Sequence, residues 1–226
     1  MTPDRARCLE TLARQILRIQ RDHPVRVAID GPDAAGKTTL ADELAPLIER
    51  SGRPVTRASI DGFHRPRAER IARGHDSPEG YYRDSFDYPT LRAALLDPLG
   101  PGGSRRFRCR VFDYRTDAPV AAPTETAAPN SILIFDGVFL LRPELVGCWD
   151  FSVFVAVTFA EIQRRAVARD AGLFGSDEAA AHRYAVRYLP GQSLYFAEAR
   201  PQETADLVLD NEDPGRPRLR AGGALG

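Results

Sequence analysis

Lysine is all but missing from this 226-residue sequence: Lys37 is the single one, and every other of its 31 basic side chains is arginine. That scarcity excludes several nucleotide-handling classes. A GTPase specifies guanine through an Asn-Lys-x-Asp loop, and a protein kinase needs a strand lysine together with a His-Arg-Asp loop. Neither set is present. Cysteine is nearly as scarce. Cys8, Cys109 and Cys148 stand far apart with no C-x-x-C pair, which excludes a disulfide framework and the usual zinc or redox spacings. An excess of charge of either sign is also lacking. The 31 Lys and Arg balance 31 Asp and Glu, so nothing provides the basic footprint of a nucleic-acid binder. Long apolar runs are absent too; SILIFDGVFLL is broken by a charge and is too short to span a bilayer. The first residues, MTPDRARCLETLARQIL, lack the apolar core of a secretory leader, and a cytoplasmic protein is expected.

What is present clusters around that one lysine. Gly31-Pro-Asp-Ala-Ala-Gly36-Lys37-Thr38 fits G-x-x-x-x-G-K-[ST]. It follows a β-branched run, VRVAID, and precedes a helical pattern, TTLADELAPLIER, as a phosphate loop requires. Glycines let backbone N–H groups turn inward, and the helix N-terminus adds partial positive charge. The loop residues Gly31, Asp33, Ala34, Ala35 and Gly36, with Lys37, Thr38 and Thr39, are therefore expected to hold ATP, with Thr38 facing Mg²⁺. Lys37 would reach the β- and γ-phosphates as a compact point charge, where arginine's planar fork does not fit. Arginine could replace lysine wherever either cation served, and at position 37 it did not.

The rest of the chain reads as short apolar strands alternating with helices, which argues for an α/β fold with a parallel sheet covered on both faces. A helix is expected over the first 22 residues, with strands at 25–30, 54–61, 131–137, 151–157 and 205–211. Pro46 is expected to kink or shorten the helix after the loop. Residues 63–85, rich in Arg, Gly and Tyr, read as a loop or lid, and RFRCRVFDY reads as a strand. A helix from Ser176 is expected to break near Pro190. Residues 1–212 read as one domain and 213–226 as a disordered tail.

Three aspartates end predicted strands, and in an open α/β sheet those ends face one ligand crevice. Asp136, after SILIF, is placed to serve Mg²⁺; a turn-capping role is the plainer alternative. Asp61, in ASIDGFHR, stands where a carboxylate could take the proton of an attacking hydroxyl, although Asp-Gly after a strand reads equally as a turn. Asp30 reads as structural. Arg165 and Arg169, one helical turn apart, could point together at phosphates or form a solvated face.

These segments, in this order, resemble the uridine kinase family within the uridine kinase, phosphoribulokinase and pantothenate kinase group of P-loop kinases. Asp61-Gly-Phe-His-Arg65 stands where the family has Asp-Ser-Phe-Tyr-Arg, and Phe86-Asp87-Tyr88-Pro89 where it has Phe-Asp-His-Pro. Phe112-Asp113-Tyr114 matches Tyr-Asp-Phe, Phe135-Asp136-Gly137 matches Phe-Glu-Gly, and Arg165 to Asp170 matches an arginine-rich lid helix. The resemblance implies a five-stranded parallel sheet with a small β element and a lid, ATP and Mg²⁺ as cofactors, a small-molecule acceptor, and homo-oligomers. It makes Asp61 the base beside Lys37, and Arg165 and Arg169 phosphate contacts. It puts Phe63, His64, Asp87, Phe112 and Tyr114 on the acceptor side, with Asp87 on ribose hydroxyls. Two family positions that read the pyrimidine, a Tyr and a His, are here Phe112 and a residue at about Asp117. A nucleoside 5′-hydroxyl (uridine or cytidine) is the leading acceptor, a sugar or pantothenate-like alcohol the alternative. An NTP-driven switch is the rival from another class.

Overall fold

A computed structural model describes residues 1–223. Helix α1 (Pro3–Leu17) leads to strand β1 (Val25–Asp30), and the glycine-rich loop opens α2 (Lys37–Glu49). Strand β2 (Val55–Ser59) runs into a 3₁₀ turn, Ile60–Phe63. Short helices α3 (Arg67–Arg70), α4 (Pro78–Asp84) and α5 (Tyr88–Leu91) follow, and a π turn continues the last to Leu96. Four two-residue strands come next: β3 (Arg106–Phe107), β4 (Phe112–Asp113), β5 (Ala118–Pro119) and β6 (Glu125–Thr126). The chain then re-enters the main sheet as β7 (Ile132–Gly137) and β8 (Phe151–Ala156). Helices α6 (Phe159–Phe174), α7 (Asp177–Arg183), α8 (Leu189–Ala199) and α9 (Pro201–Thr204) precede β9 (Leu207–Asp210) and β10 (Arg218–Ala221).

The main sheet has six strands in the order β10-β9-β8-β1-β7-β2. The five from β2 to β9 are parallel and β10 is antiparallel to β9. One strand more than expected is thus present, and it comes from the segment read as a tail. Leu219 sits opposite Leu209 in this pairing, so a lone apolar residue was the signal in an otherwise Pro-, Gly- and Arg-rich stretch. The last residues of that expected tail, 224–226, lie outside the described residues.

Strand alternation splits the core between the two sheet faces. Val25, Val27 and Ile29 join Leu9, Leu12 and Ile16 of α1 and Leu40, Leu44 and Ile48 of α2 on one face. Ala28, Leu133, Phe135 and Phe154 join Phe63, Phe86, Leu95 and Tyr195 on the other. Asp30 pairs with Gly137 and Ser59 with Asp136 in register, so the carboxylates of β1, β7 and the β2 turn gather at one edge of the sheet.

Local departures have local causes. α2 passes through Pro46 without ending. The helical stretch from Asp177 to Ala199 also does not break at Pro190; a π turn, Tyr184–Tyr188, widens the backbone just before it and accommodates the ring. The segment 106–114 is not one strand, because its middle backbone groups bond elsewhere: Arg108 N donates to Ala94 O at 2.9 Å and Val111 N to Gly62 O at 2.9 Å. Residues 63–85 contain α3 and α4 rather than an irregular lid. Ser77 caps α4 through Gly80 N at 3.0 Å, with Pro78 at the first position. Among the described residues no helix is long and apolar enough to cross a membrane.

Candidate active site

The loop between β1 and α2 has the geometry its glycines allow. Gly31 has φ +151°, and a Cβ there would lie 2.6 Å from the Val155 carbonyl oxygen. Gly36 has φ +93° at the cap of α2, and a Cβ there would meet Asn211 Nδ2 at 2.9 Å. Ala34 takes φ +57°, a left-handed conformation that a non-glycine residue adopts only at some cost. Asn211, buried at the end of β9, fixes this curve by donating from Nδ2 to Ala35 O at 2.7 Å. Its Oδ1 in turn accepts from Arg5 Nη1 of α1 at 3.3 Å.

Lys37 lies along the loop and donates to Pro32 O at 2.7 Å. Burial pushes its ammonium pKa down, and the carboxylates of Asp33, Asp30, Asp136 and Asp61 work against that shift. Beside it opens a cleft of about 350 Å³ lined by Ala34, Gly36, Lys37, Thr38, Thr39, Arg165 and Arg169. The two arginines of α6 thus share a cavity with the phosphate loop. Arg165 is braced by Glu161 Oε1 at 2.7 Å and by the carbonyls of Asn211 and Glu212, both at 2.9 Å. Arg169 is paired with both oxygens of Asp170, at 2.7 and 2.8 Å.

At the strand ends, Thr38 Oγ1 donates to Asp136 Oδ2 at 2.7 Å, so the two expected metal-facing residues touch. Hard oxygens of this kind suit Mg²⁺, which binds through one or two protein oxygens plus phosphates. Thr38 and Asp136 together offer two such oxygens, a donor set that fits an ion whose remaining ligands are phosphates and water. Asp30 is enclosed, accepts from Tyr195 Oη and from Leu140 N, and is pushed up to about 6 by burial. Its role is in packing.

Asp61 stands on the 3₁₀ turn after β2, outside the lining of that cleft but close enough to Lys37 for their charges to interact. Among the described residues no donor bonds its carboxylate; its backbone alone is engaged, with N donating to Ser59 Oγ and O facing His64 Nδ1 at 3.1 Å. The surrounding protein raises its pKa by desolvation, Asp33 and Asp136 add to the shift, and His64 and Lys37 oppose it. His64 lies between Phe86 and Tyr114, with ring centroids 4.6 and 4.8 Å away, and burial lowers its pKa. The hairpin β4–β5 rests on Gly62, where a Cβ would meet Arg110 Cβ at 2.7 Å.

Several expected acceptor-side residues are differently employed. Phe63 is fully enclosed and packs against Phe135 at 6.2 Å, so it anchors the Asp61 turn and cannot touch a ligand. Asp87 caps α5, accepting from Thr90 N at 3.0 Å and Thr90 Oγ1 at 2.7 Å. Phe112 is buried, whereas Tyr114 is exposed. Asp117 accepts from Arg67 N at 2.7 Å and Arg70 Nη2 at 3.3 Å. Sequence reasoning missed Asn211, Arg57, Tyr81 and Gln192. Tyr81 Oη donates to Asp33 Oδ2 at 2.5 Å, and Gln192 Nε2 lies 3.4 Å from the same oxygen, tying the loop to α4 and α8. A strand-end Asn was visible in ADLVLDN; the other three carried no local signal.

A parallel sheet, a phosphate loop between its first strand and helix, and arginines from a later helix across the cleft are the architecture of a P-loop NTPase fold. Comparison with solved structures narrows this: the fold is that of the uridine kinase and phosphoribulokinase group of P-loop kinases. A candidate uridine kinase from Bacillus stearothermophilus is 22% identical with a TM-score of 0.71, over 90% of this chain and 97% of that one. A candidate fructose transport system kinase from Silicibacter sp. is 25% identical with a TM-score of 0.72, over 84% and 95%. Phosphoribulokinase from Rhodobacter spheroides is 16% identical with a TM-score of 0.53, over 84% and 71%. No family model matches the sequence, and no curated protein matches it.

Proposed function

We propose that this protein is an ATP- and Mg²⁺-dependent kinase that transfers the γ-phosphoryl group to a hydroxyl of a small molecule. One observation carries the reading: the Asp61 carboxylate lies close enough to Lys37 for their charges to interact and accepts no hydrogen bond from the described residues. A nucleotide switch has no use for such a group, whereas an alcohol acceptor must lose a proton as it attacks. The loop N–H groups and Lys37 neutralise the phosphates, and Arg165 and Arg169 hold them from the lid side. Thr38 and Asp136 would hold Mg²⁺, which would supply charge neutralisation of the phosphate oxygens. The acceptor hydroxyl passes its proton to Asp61 as its oxygen bonds to the γ-phosphorus, the bond from that phosphorus to the β,γ-bridging oxygen breaks, and ADP leaves.

A pyrimidine nucleoside is the first reading of the acceptor, supported by the fold this chain shares with a candidate uridine kinase. A non-nucleoside alcohol, a sugar or a pantothenate-like compound, is the second, and the β4–β5 hairpin favours it. Phe112 has no polar side-chain atom to offer a base edge, and Asp117 Oδ1 is already engaged by two donors. The test is Mg²⁺-dependent ADP formation without acceptor, then with uridine and cytidine, then with sugars and pantothenate. ADP released only with an alcohol supports the kinase, and the active alcohol decides between the acceptors. Hydrolysis indifferent to every acceptor refutes the kinase.

A further inference from the structure

The Asp136 carboxylate has a second partner that the reaction does not require. While Oδ2 accepts from Thr38, Oδ1 lies 3.1 Å from Nη2 of Arg57. That guanidinium is held from two further directions: Nη1 donates to Ile134 O at 3.0 Å, and Nη2 lies 2.9 Å from Asp42 Oδ1 of α2. Arg57 faces Ile134 in the β2–β7 register, two residues before Asp136 on the neighbouring strand. Asp136 is almost fully enclosed, with its side chain 4% exposed. A fixed cation therefore offsets the charge of this carboxylate and occupies one of its oxygens.

We infer that Arg57 governs when the Asp136 carboxylate takes a cation: it keeps the site weak toward a free divalent ion and leaves a single oxygen for the ion that arrives on ATP phosphates. The inference rests on the reading of Thr38 and Asp136 as metal-facing donors. Its physical basis is charge. Mg²⁺ sheds its water reluctantly and demands compensating negative charge. The Arg57 guanidinium, shared between Asp136 and Asp42, offsets part of the charge Asp136 would offer an ion, and the phosphates must supply the rest. Arg57 is a positioning residue: anchored on Ile134 O through Nη1, it holds Oδ1 through Nη2 and so sets the direction in which Oδ2 points, as the outer partners of metal-binding carboxylates do.

Mn²⁺ serves as the probe, titrated by electron paramagnetic resonance into the whole protein, with and without a non-hydrolysable ATP analogue. Without nucleotide, Arg57→Gln is expected to bind Mn²⁺ at least tenfold more tightly than the wild type, about 1.4 kcal/mol. Arg57→Lys, which keeps the charge, is expected to stay as weak as the wild type. Arg57 lies on an edge strand and is only partly enclosed, so both variants are expected to fold, and thermal melting checks this. The inference is overturned if Arg57→Gln binds free Mn²⁺ no better than the wild type, or if the lysine variant binds it as tightly as the glutamine one. A wild type that binds no Mn²⁺ even with the analogue overturns the metal reading of Thr38 and Asp136, and this inference with it.

Discussion

Replacing Asp61 by asparagine separates proton removal from every other property of the site. The change is isosteric, and no hydrogen bond among the described residues depends on the lost carboxylate charge, so stability should move by no more than about 0.5 kcal/mol. Nucleotide affinity should hold or improve slightly, because one of the carboxylates whose charge acts on Lys37 becomes neutral. Transfer should fall by roughly 10² to 10⁴, the usual contribution of a positioned base, or about 3 to 5 kcal/mol of barrier. The acid limb of kcat/KM should go with it. Desolvation raises the Asp61 carboxyl above an ordinary aspartate, so wild-type activity should fall, as pH drops, at a higher pH than an exposed carboxylate would give. Coupled detection of ADP release with the active acceptor, calorimetric binding of an ATP analogue, and a melting curve measure the three quantities. An Asp61→Asn variant that transfers phosphate within about tenfold of wild type refutes Asp61 as the base. Loss of nucleotide binding in parallel would show that the residue shapes the donor site instead.

Lys37→Arg should abolish transfer although the charge is kept, since the guanidinium must fit where Nζ lies 2.7 Å from Pro32 O; an active variant sinks the steric account of the single lysine. Asn211→Ala removes the 2.7 Å bond that holds the Ala35 carbonyl and should raise the Kd for ATP about tenfold while lowering stability by roughly 1 to 3 kcal/mol; unchanged ATP affinity would detach Asn211 from the loop. Asp30 rises from about 3.9 unfolded to about 6 folded, so the folded state binds the extra proton. Its effect on stability is nil below about pH 4, grows unfavourable as pH rises through about 6, and levels off near roughly 3 kcal/mol. Denaturant unfolding should therefore show Asp30→Asn gaining stability relative to wild type between about pH 4 and 7; parallel curves would refute the shift.

The parts of this molecule that were legible in the sequence are those encoded by neighbours along the chain. G-x-x-x-x-G-K-T, a β-branched run ahead of it and a helical pattern behind it are local, and they suffice to fold a phosphate cradle. Asp30 and Asp136 were legible for the same reason, because the apolar run fixes where the strand stops, whereas the second strand ends at Ser59 and Asp61 falls in the 3₁₀ turn beyond it. Phe63 was misjudged because motif position says nothing of side-chain direction: between Asp61 and His64, the 3₁₀ turn points the phenylalanine into the core. Strand β10 was missed because an antiparallel edge strand needs little more than a few backbone pairs, and Leu219 alone marked it.

The contacts that hold the site in shape were not legible, and the reason is distance in sequence. Asn211 reaches Ala35 across 176 residues, Gln192 reaches Asp33 across 159, and Thr38 reaches Asp136 across 98. Such pairs follow from the order β9-β8-β1-β7-β2, which brings strand ends together only once the whole sheet has formed. Asp136 shows what this costs a local reading. Its place after SILIF was enough to suggest a metal-facing carboxylate, but its strength toward a metal is set by Arg57, a residue that in PVTRASID reads as an ordinary polar position on an edge strand. The chemistry available at a motif is therefore a property of the partners the topology delivers to it. In this chain the decisive partner of the one acidic group expected to face the metal is a cation.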